Sequence, residues 1–208
     1  LSSEDGAELW HHPAESQGAV TPCVDQEQGT AFYQSNGKLW KIRIADGSVL
    51  RSLDIEPPDK CVSWNTVLTE RADGPCVATY WYEHKCWSSA IRVYDAELNL
   101  LWERKGLALS KKYTPCCADG KIFAGCGNGW VPYEGDDWKH IKAYDLSSGD
   151  VAWQLDRTRS SFGALLNTIY CNGHLFAETA SKKGAPPCEI YRIDARNGSL
   201  VETFSYPH

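Results

Sequence analysis

The chain has 208 residues, of which 42% are hydrophobic and 23% are charged, and its formal net charge at pH 7 is −6. This length and apolar content suffice for one domain with a sizeable core, and no apolar run approaches the roughly 20 residues that a membrane-spanning helix needs. The acidic balance, with a pI near 5.5, argues against nucleic acid or an anionic membrane as a partner. We therefore expect a soluble single domain covering residues 1–208.

The first predicted element is an outer strand at residues 5–12. Gly6 supplies a turn, and Trp10 follows it at an offset of four. The strand lacks the three inner strands that should precede it, so it is an extra element. It either completes a sheet shared with the last repeat or belongs to a repeat supplied from elsewhere.

Four β-rich repeats follow, at residues 18–54, 62–105, 112–156 and 163–206. The first repeat has a tight turn at residues 35–37 and a second turn at Asp46-Gly47, with Arg51 after it. In the second repeat Asp95 precedes the outer turn, and we expect Asn99 to take the glycine position because Asn tolerates left-handed backbone. Trp102 then arrives one residue early.

The third repeat holds the clearest hairpin, IKAYDLSSGDVAW. β-branched and aromatic residues alternate on both sides of its Ser-Ser-Gly turn, and the glycine supplies the positive φ that a tight turn needs. Its fixed positions are Ala143, Asp145, Gly149 and Trp153. The fourth repeat keeps Asp194 and Gly198 at the same spacing but has Glu202 where the tryptophan would stand.

The segments before these hairpins also correspond, since TPCCADGKIFAGCGNG resembles TPCVDQEQGTAFYQSNG. Each unit therefore carries four short strands in about 40 to 50 residues, which is the period of propeller blades. The sequence predicts an all-β fold, a β-propeller of four four-stranded repeats. The ring is either four-bladed or half of a larger one that a homodimer would complete.

The whole unit resembles the pyrroloquinoline-quinone (PQQ)-like β-propeller repeat. The resemblance rests on TP, two small apolar residues, ADG, an apolar strand and Ala-x-Asp-x-x-x-Gly-x-x-x-Trp, which the third repeat carries in full. In that family the tryptophan of the hairpin packs between adjacent blades. The resemblance implies the fold rather than an activity.

Long connections in the second, third and fourth repeats predict a functional face. Exposed aromatic rings beside carboxylates suit a sugar, because the rings stack on C–H surfaces while the acids accept hydrogen bonds from hydroxyl groups. The alternative is that the rings pack on one another. The candidate ligand-binding residues are Tyr82, His84, Trp87, Trp130, Tyr133, Asp136, Asp137 and Trp138.

Nine cysteines allow two interpretations, as disulfides of a secreted domain or as small apolar strand residues. We expect core positions for Cys23, Cys116, Cys117, Cys126 and Cys171. We expect that Cys76 and Cys86 could bridge a hairpin. Quinoproteins place an adjacent-cysteine disulfide against the quinone, but Cys116-Cys117 falls on a predicted strand, where neighbouring side chains point to opposite faces.

No nucleophile motif, zinc helix or phosphate-binding loop is visible, and the six histidines lack metal-ligand spacing. Asp136-Asp137 lacks the spaced oxygen ligands of a Ca²⁺ site. We expect a non-catalytic binding propeller for a small molecule or glycan, without a cofactor. The alternatives are a quinoprotein-like oxidoreductase fragment using PQQ and Ca²⁺, and a structural scaffold. The missing Met and the sequon Asn197-Gly-Ser favour a secreted chain over an intracellular one.

Overall fold

The computed structural model describes residues 4–12, 21–35, 37–58, 61–83, 89–107, 115–125, 140–156, 165–179 and 188–206. In these residues sixteen strands form four antiparallel sheets of four strands, each connected in simple sequence order. The predicted all-β fold with four four-stranded repeats is therefore confirmed. This part of the chain has no helix long and apolar enough to cross a membrane.

We number the sheets as blades 1 to 4, each running from an inner to an outer strand. Blade 1 contains β1 (Cys23–Asp25), β2 (Thr30–Ser35), β3 (Lys38–Arg43) and β4 (Val49–Asp54). Blade 2 contains β5 (Cys61–Arg71), β6 (Gly74–Glu83), β7 (Ser89–Asp95) and β8 (Leu100–Leu107). Blade 3 contains β9 (Cys116–Ala118), β10 (Lys121–Gly125), β11 (His140–Asp145) and β12 (Val151–Asp156). Blade 4 contains β13 (Leu165–Cys171), β14 (His174–Thr179), β15 (Cys188–Asp194) and β16 (Leu200–Tyr206).

The core consists of layers between neighbouring blades, because successive side chains of a strand point to opposite faces of its sheet. In β6, Val77 packs in the cluster shared with Phe32 of blade 1, whereas Ala78 packs in the cluster shared with Ile122 of blade 3. A third cluster joins blades 3 and 4 around Phe123 and Leu175. Each blade is thus stable only with a neighbour on its face, as radial arrays require.

Two tryptophans link neighbouring blades in the way that the resemblance implied. Trp153 of blade 3 lies against Gly198 in the β15–β16 turn and donates from Nε1 to the Ala195 carbonyl oxygen at 3.0 Å. Trp102 of blade 2 lies against Gly149 in the same way and donates to Leu146 O at 2.8 Å. Each tryptophan therefore caps the outer turn of the following blade.

Trp10 makes the same contact from the N-terminal segment. Its ring lies against Gly47 of blade 1, and its Nε1 donates to Ile44 O at 2.6 Å. Residues 5–12, expected to form an outer strand, have no β-ladder in the structure. The segment is held on blade 1 by the tryptophan contact, by a hydrogen bond between His12 and the Tyr33 hydroxyl, and by the packing of the His12 ring on Tyr33 and Trp40.

The interface between blades 1 and 2 uses charges where the others use tryptophan. Arg51 stands at the tryptophan position, and both it and Lys41 reach Glu97 in the outer turn of blade 2, at 3.6 and 2.9 Å. The hydrogen bond from Lys41 lowers the pKa of the Glu97 carboxyl. An ion pair therefore replaces the aromatic link at this interface.

The turn of blade 2 corrects our assignment of Asn99 to the glycine position. Leu98 adopts the left-handed conformation, with a φ of 60°, and its amide donates to Asp95 O in a turn one residue shorter than those of blades 3 and 4. The offset from Leu98 to Trp102 then equals that from Gly149 to Trp153. Leu98 is only 1% exposed, so burial in the core offsets the strain of a positive φ for a residue with a Cβ.

The blades are arranged consecutively. The inner strands of blade 1 contact β5, β5 contacts β9, and β9 and β10 contact β13. Among the described residues, no contact of similar extent joins blade 4 to blade 1. One face of blade 4 is therefore without a neighbouring blade in this part of the chain.

We expect Gly149→Ala to destabilise the fold more than Gly120→Ala. Both glycines have similar positive φ values, 74° and 65°, but a Cβ on Gly149 would lie 2.8 Å from the Trp102 ring, while a Cβ on Gly120 would meet nothing within 4 Å. Gly120→Ala, the control, should lower the free energy of unfolding only by the backbone strain of an alanine at positive φ, about 1 kcal/mol. Gly149→Ala should lower it by roughly 1 to 3 kcal/mol more, because the added Cβ collides with the Trp102 ring. Urea unfolding measures the difference, and equal losses for the two variants would contradict the docking role of the turn glycine.

Candidate functional site

The long connections lie at one end of the blades, where the second strand of each sheet ends and the third begins. In blade 1 this connection is a tight turn, because Ser35 at the end of β2 pairs with Lys38 at the start of β3. In blade 3 Gly125 pairs with Ile141, and the chain between these strands comprises residues 126–139. The same framework position thus carries a minimal turn in one blade and a long insertion in another.

Most of the predicted ligand-binding residues lie in these connections, outside the described residues. They are His84 and Trp87 between β6 and β7, and Trp130, Tyr133, Asp136, Asp137 and Trp138 between β10 and β11. Tyr82 lies in β6, opposite Val62, and is only 6% exposed. It is part of the blade, and its contact with a ligand stays a prediction, like those of the loop residues.

A partly buried arginine on β7 contacts β6, β8 and the connection between blades 1 and 2. Its guanidinium group lies 5.0 Å from the centroid of the Trp81 ring, and Nε of this residue, Arg92, donates to Glu103 at 2.6 Å. A second guanidinium nitrogen donates to Glu56 O at 2.7 Å, in the connection between blades 1 and 2. Arg92 is therefore held in place by the face of the Trp81 ring and by two hydrogen-bond acceptors. No sequence motif indicated this role.

The surroundings of the Glu103 carboxyl group favour its ionised form. Burial opposes ionisation of Glu103, but hydrogen bonds from Arg92 and Lys105 outweigh it and lower the pKa. Glu103 therefore holds Arg92 in place as an anion and has no spare proton to transfer near neutral pH.

A polar cluster lies at the same end of the interface between blades 1 and 2. Gln34 is fully buried, and its Nε2 donates to the main-chain oxygen of Asn65 at 3.1 Å. Thr66 donates to Thr21 O at 2.6 Å, which extends the contact between the two blades. The Gln34 Oε1 atom is buried without a hydrogen-bond partner in the structure. This cluster positions the inner strands and was not foreseen from the sequence.

Cys116 and Cys117 face different neighbours, as expected for adjacent residues on a strand. Cys116 packs on the cluster between blades 3 and 4, and Cys117 packs on the cluster between blades 2 and 3. The Cys117 Sγ lies 3.3 Å from the Tyr80 hydroxyl oxygen. Burial raises the pKa of Cys117 to about 12 and also raises that of Cys116. The pair is two separate neutral thiols in packed layers and does not fit a disulfide lying against a quinone.

Cys23 occupies the position in blade 1 that Cys116 occupies in blade 3. Each pairs with a phenylalanine on the second strand, Phe32 or Phe123. A threonine of the next blade lies beside each thiol: Thr66 Oγ1 is 3.3 Å from Phe32 O, and Thr168 Oγ1 is 3.4 Å from Phe123 O. This repeated contact places a small thiol side chain at the same position in both blades.

Two expectations about cysteines are wrong. Cys171 is exposed at the end of β13 rather than in the core. Cys76 is a buried free thiol at the start of β6, about 23 Å along the strand from Glu83. The three residues from Glu83 to Cys86 reach about 10 Å at most, so a bridge that needs Cα atoms within about 7 Å cannot form. Cys126 lies outside the described residues.

Comparison with known proteins shows the fold. Neither protein-family models nor curated proteins gave a match. BamB from Moraxella catarrhalis is similar at 12% identity and a TM-score of 0.61, over 89% of this chain and 52% of that one. Quinohemoprotein alcohol dehydrogenase ADHIIG from Pseudomonas putida HK5 is similar at 14% identity and a TM-score of 0.67, over 93% and 35%.

A europium-containing methanol dehydrogenase is also similar, at 12% identity and a TM-score of 0.58, over 90% of this chain and 41% of that one. The chain therefore spans about half or less of the length of each of these three proteins. The expected PQQ-like β-propeller fold is confirmed. Among the residues described, no group of three or more His, Cys, Asp or Glu side chains is placed to hold a metal ion.

We expect the thiols of the folded protein to differ sharply in reactivity, because only the thiolate attacks iodoacetamide. Burial raises the pKa of Cys76 and Cys117 to about 12, from an ordinary value of 9.0, whereas Cys171 is exposed. Alkylation near pH 8 followed by peptide mass mapping should label Cys171 and spare the other two until denaturant is added. A peptide with a bond between Cys116 and Cys117 would contradict the strand geometry.

Proposed function

We propose that this chain is a non-catalytic β-propeller binding module that holds a carbohydrate at the end of the blades where residues 126–139 emerge. The observation that carries the proposal is the contrast between blades 1 and 3. Blade 1 closes the same hairpin through Ser35 and Lys38, so the longer segment of blade 3 is not required for folding. A segment that the framework does not need is available for binding.

The composition of residues 126–139 is the basis for proposing a carbohydrate as the ligand. Trp130, Tyr133 and Trp138 supply rings that stack on the apolar C–H face of a sugar. Asp136 and Asp137 accept hydrogen bonds from its hydroxyl groups. His84 and Trp87, in the connection between β6 and β7, are proposed to contribute to the same site.

An oxidoreductase is the second candidate, favoured by the similarity to proteins described as quinohemoprotein alcohol dehydrogenase and methanol dehydrogenase. The residues of this chain fit the quinone poorly, since Cys116 and Cys117 are committed to two different inter-blade layers. We therefore assign no step of chemistry to a quinone here. Incubation with PQQ and Ca²⁺, followed by gel filtration, distinguishes the candidates, because retained quinone absorption would favour the enzyme.

We expect a glycan array to identify a ligand, and Trp130→Ala and Trp138→Ala each to weaken its binding by about 5- to 30-fold. Loss of one stacking ring removes roughly 1 to 2 kcal/mol. The matched control is Trp40→Ala, a partly buried tryptophan of β3 that belongs to neither connection. Isothermal titration with the array ligand, at matched melting temperatures, makes the measurement. Equal affinity for all variants, or an array without any binding, would contradict the carbohydrate site.

A further inference from the structure

We propose that a second copy of this chain binds the face of blade 4 that lacks a neighbouring blade, through a two-fold symmetric contact centred on Arg192 and Glu202. We call this surface the open face of blade 4. It consists of Ile169, Phe176, Ile190, Arg192, Glu202 and Phe204, which share one side of the sheet because they pair in register across β13 to β16.

The open face matches, position by position, a face of blade 3 that is buried. In blade 3 a row of paired residues runs from Cys116 through Phe123 and Ala143 to Trp153, against blade 4. The same row in blade 4 runs from Ile169 through Phe176 and Arg192 to Glu202.

Apolar residues occupy the docking positions of the open face, which none of the other described blades covers. Ile169 is 63% exposed and Phe204 is 41% exposed, while Phe176 and Ile190 are partly exposed. Phe204 stands where blade 3 has Leu155. Exposed apolar residues grouped on one sheet face indicate an interaction surface.

The charges on this face select the partner. In blade 1 the two positions are Lys41 and Arg51, and the surface that meets them presents Glu97. In blade 4 the same positions hold one cation and one anion, Arg192 and Glu202, 3.1 Å apart and both partly exposed. A surface that pairs with the open face must place an anion opposite Arg192 and a cation opposite Glu202. A copy related by a two-fold axis does so, since it sets Arg192 against Glu202 of the partner subunit.

A head-to-tail contact is less compatible with the structure. In such a ring, blade 4 of one copy would follow the pattern of blades 2 and 3 and meet blade 1 of the next copy. That face of blade 1 already holds Trp10 on Gly47 and His12 on Tyr33 and Trp40. The outer strand of an incoming blade 4 would have to displace this segment, and Glu202 would not fill the tryptophan slot.

Light scattering on the full chain tests the proposal. We expect the wild-type protein to have twice the monomer mass of 23.2 kDa and to dissociate on dilution. Arg192→Glu and Glu202→Arg should each be monomeric, because each places like charges across the two-fold axis. An equimolar mixture of the two variants should recover the dimer, since each then meets the opposite charges.

The control is Val151→Glu, an exposed position on the outer strand of blade 3, which should leave the dimer intact. Circular dichroism and melting temperature establish that each variant is folded. A wild-type protein that stays monomeric at all accessible concentrations would overturn the proposal. So would a dimer that survives both single charge reversals, or one that the mixture does not restore. Glycan binding is measured separately, so either proposal can fail without the other.

Discussion

The fold depends on a contact in which a tryptophan of one outer strand lies on the glycine of the next blade's outer turn. The contact needs both partners: an indole with a free N–H, and a turn residue without a side chain in a left-handed conformation. Trp102 on Gly149 and Trp153 on Gly198 satisfy it. Arg104 adds a hydrogen bond to Gly149 O at 2.7 Å. Because each blade buries too little alone, these links between sheets decide whether the array is stable.

The interface between blades 1 and 2 shows that the link can change its chemistry while keeping its place. Where the tryptophan is absent, the glycine is absent too, and Arg51 and Lys41 meet Glu97 instead. Leu98 takes the left-handed position and turns inward, which adds apolar contact that an exposed ion pair does not supply. At this interface Arg51 at the tryptophan position and Leu98 at the glycine position compensate each other. On the open face of blade 4, charged residues likewise stand where blade 3 has Ala143 and Trp153.

The framework and the proposed binding surface are separate parts of the molecule. The inter-blade layers hold the apolar residues, the neutral thiols and the tryptophan contacts, and they tolerate little change. The connections at one end vary from a tight turn in blade 1 to residues 126–139 in blade 3. A propeller can thus change its ligand without changing its core, which is why the PQQ-like fold of this chain does not by itself reveal an activity.

The sequence by itself determined the four-stranded repeats and the tryptophan contacts, because strand alternation, turn glycines and the offset from Gly149 to Trp153 are local features that recur. It also predicted that Cys116 and Cys117 face opposite sides, which follows from strand geometry alone. Its composition near Trp130 suggested aromatic and acidic ligand-binding residues, but composition carries no information on their geometry. Only the tertiary structure decided that Leu98 rather than Asn99 takes the left-handed position, that Arg92 stacks on Trp81, and that blade 4 keeps an open face. These depend on contacts between segments far apart in the chain, where packing outweighs the local preference of any one residue.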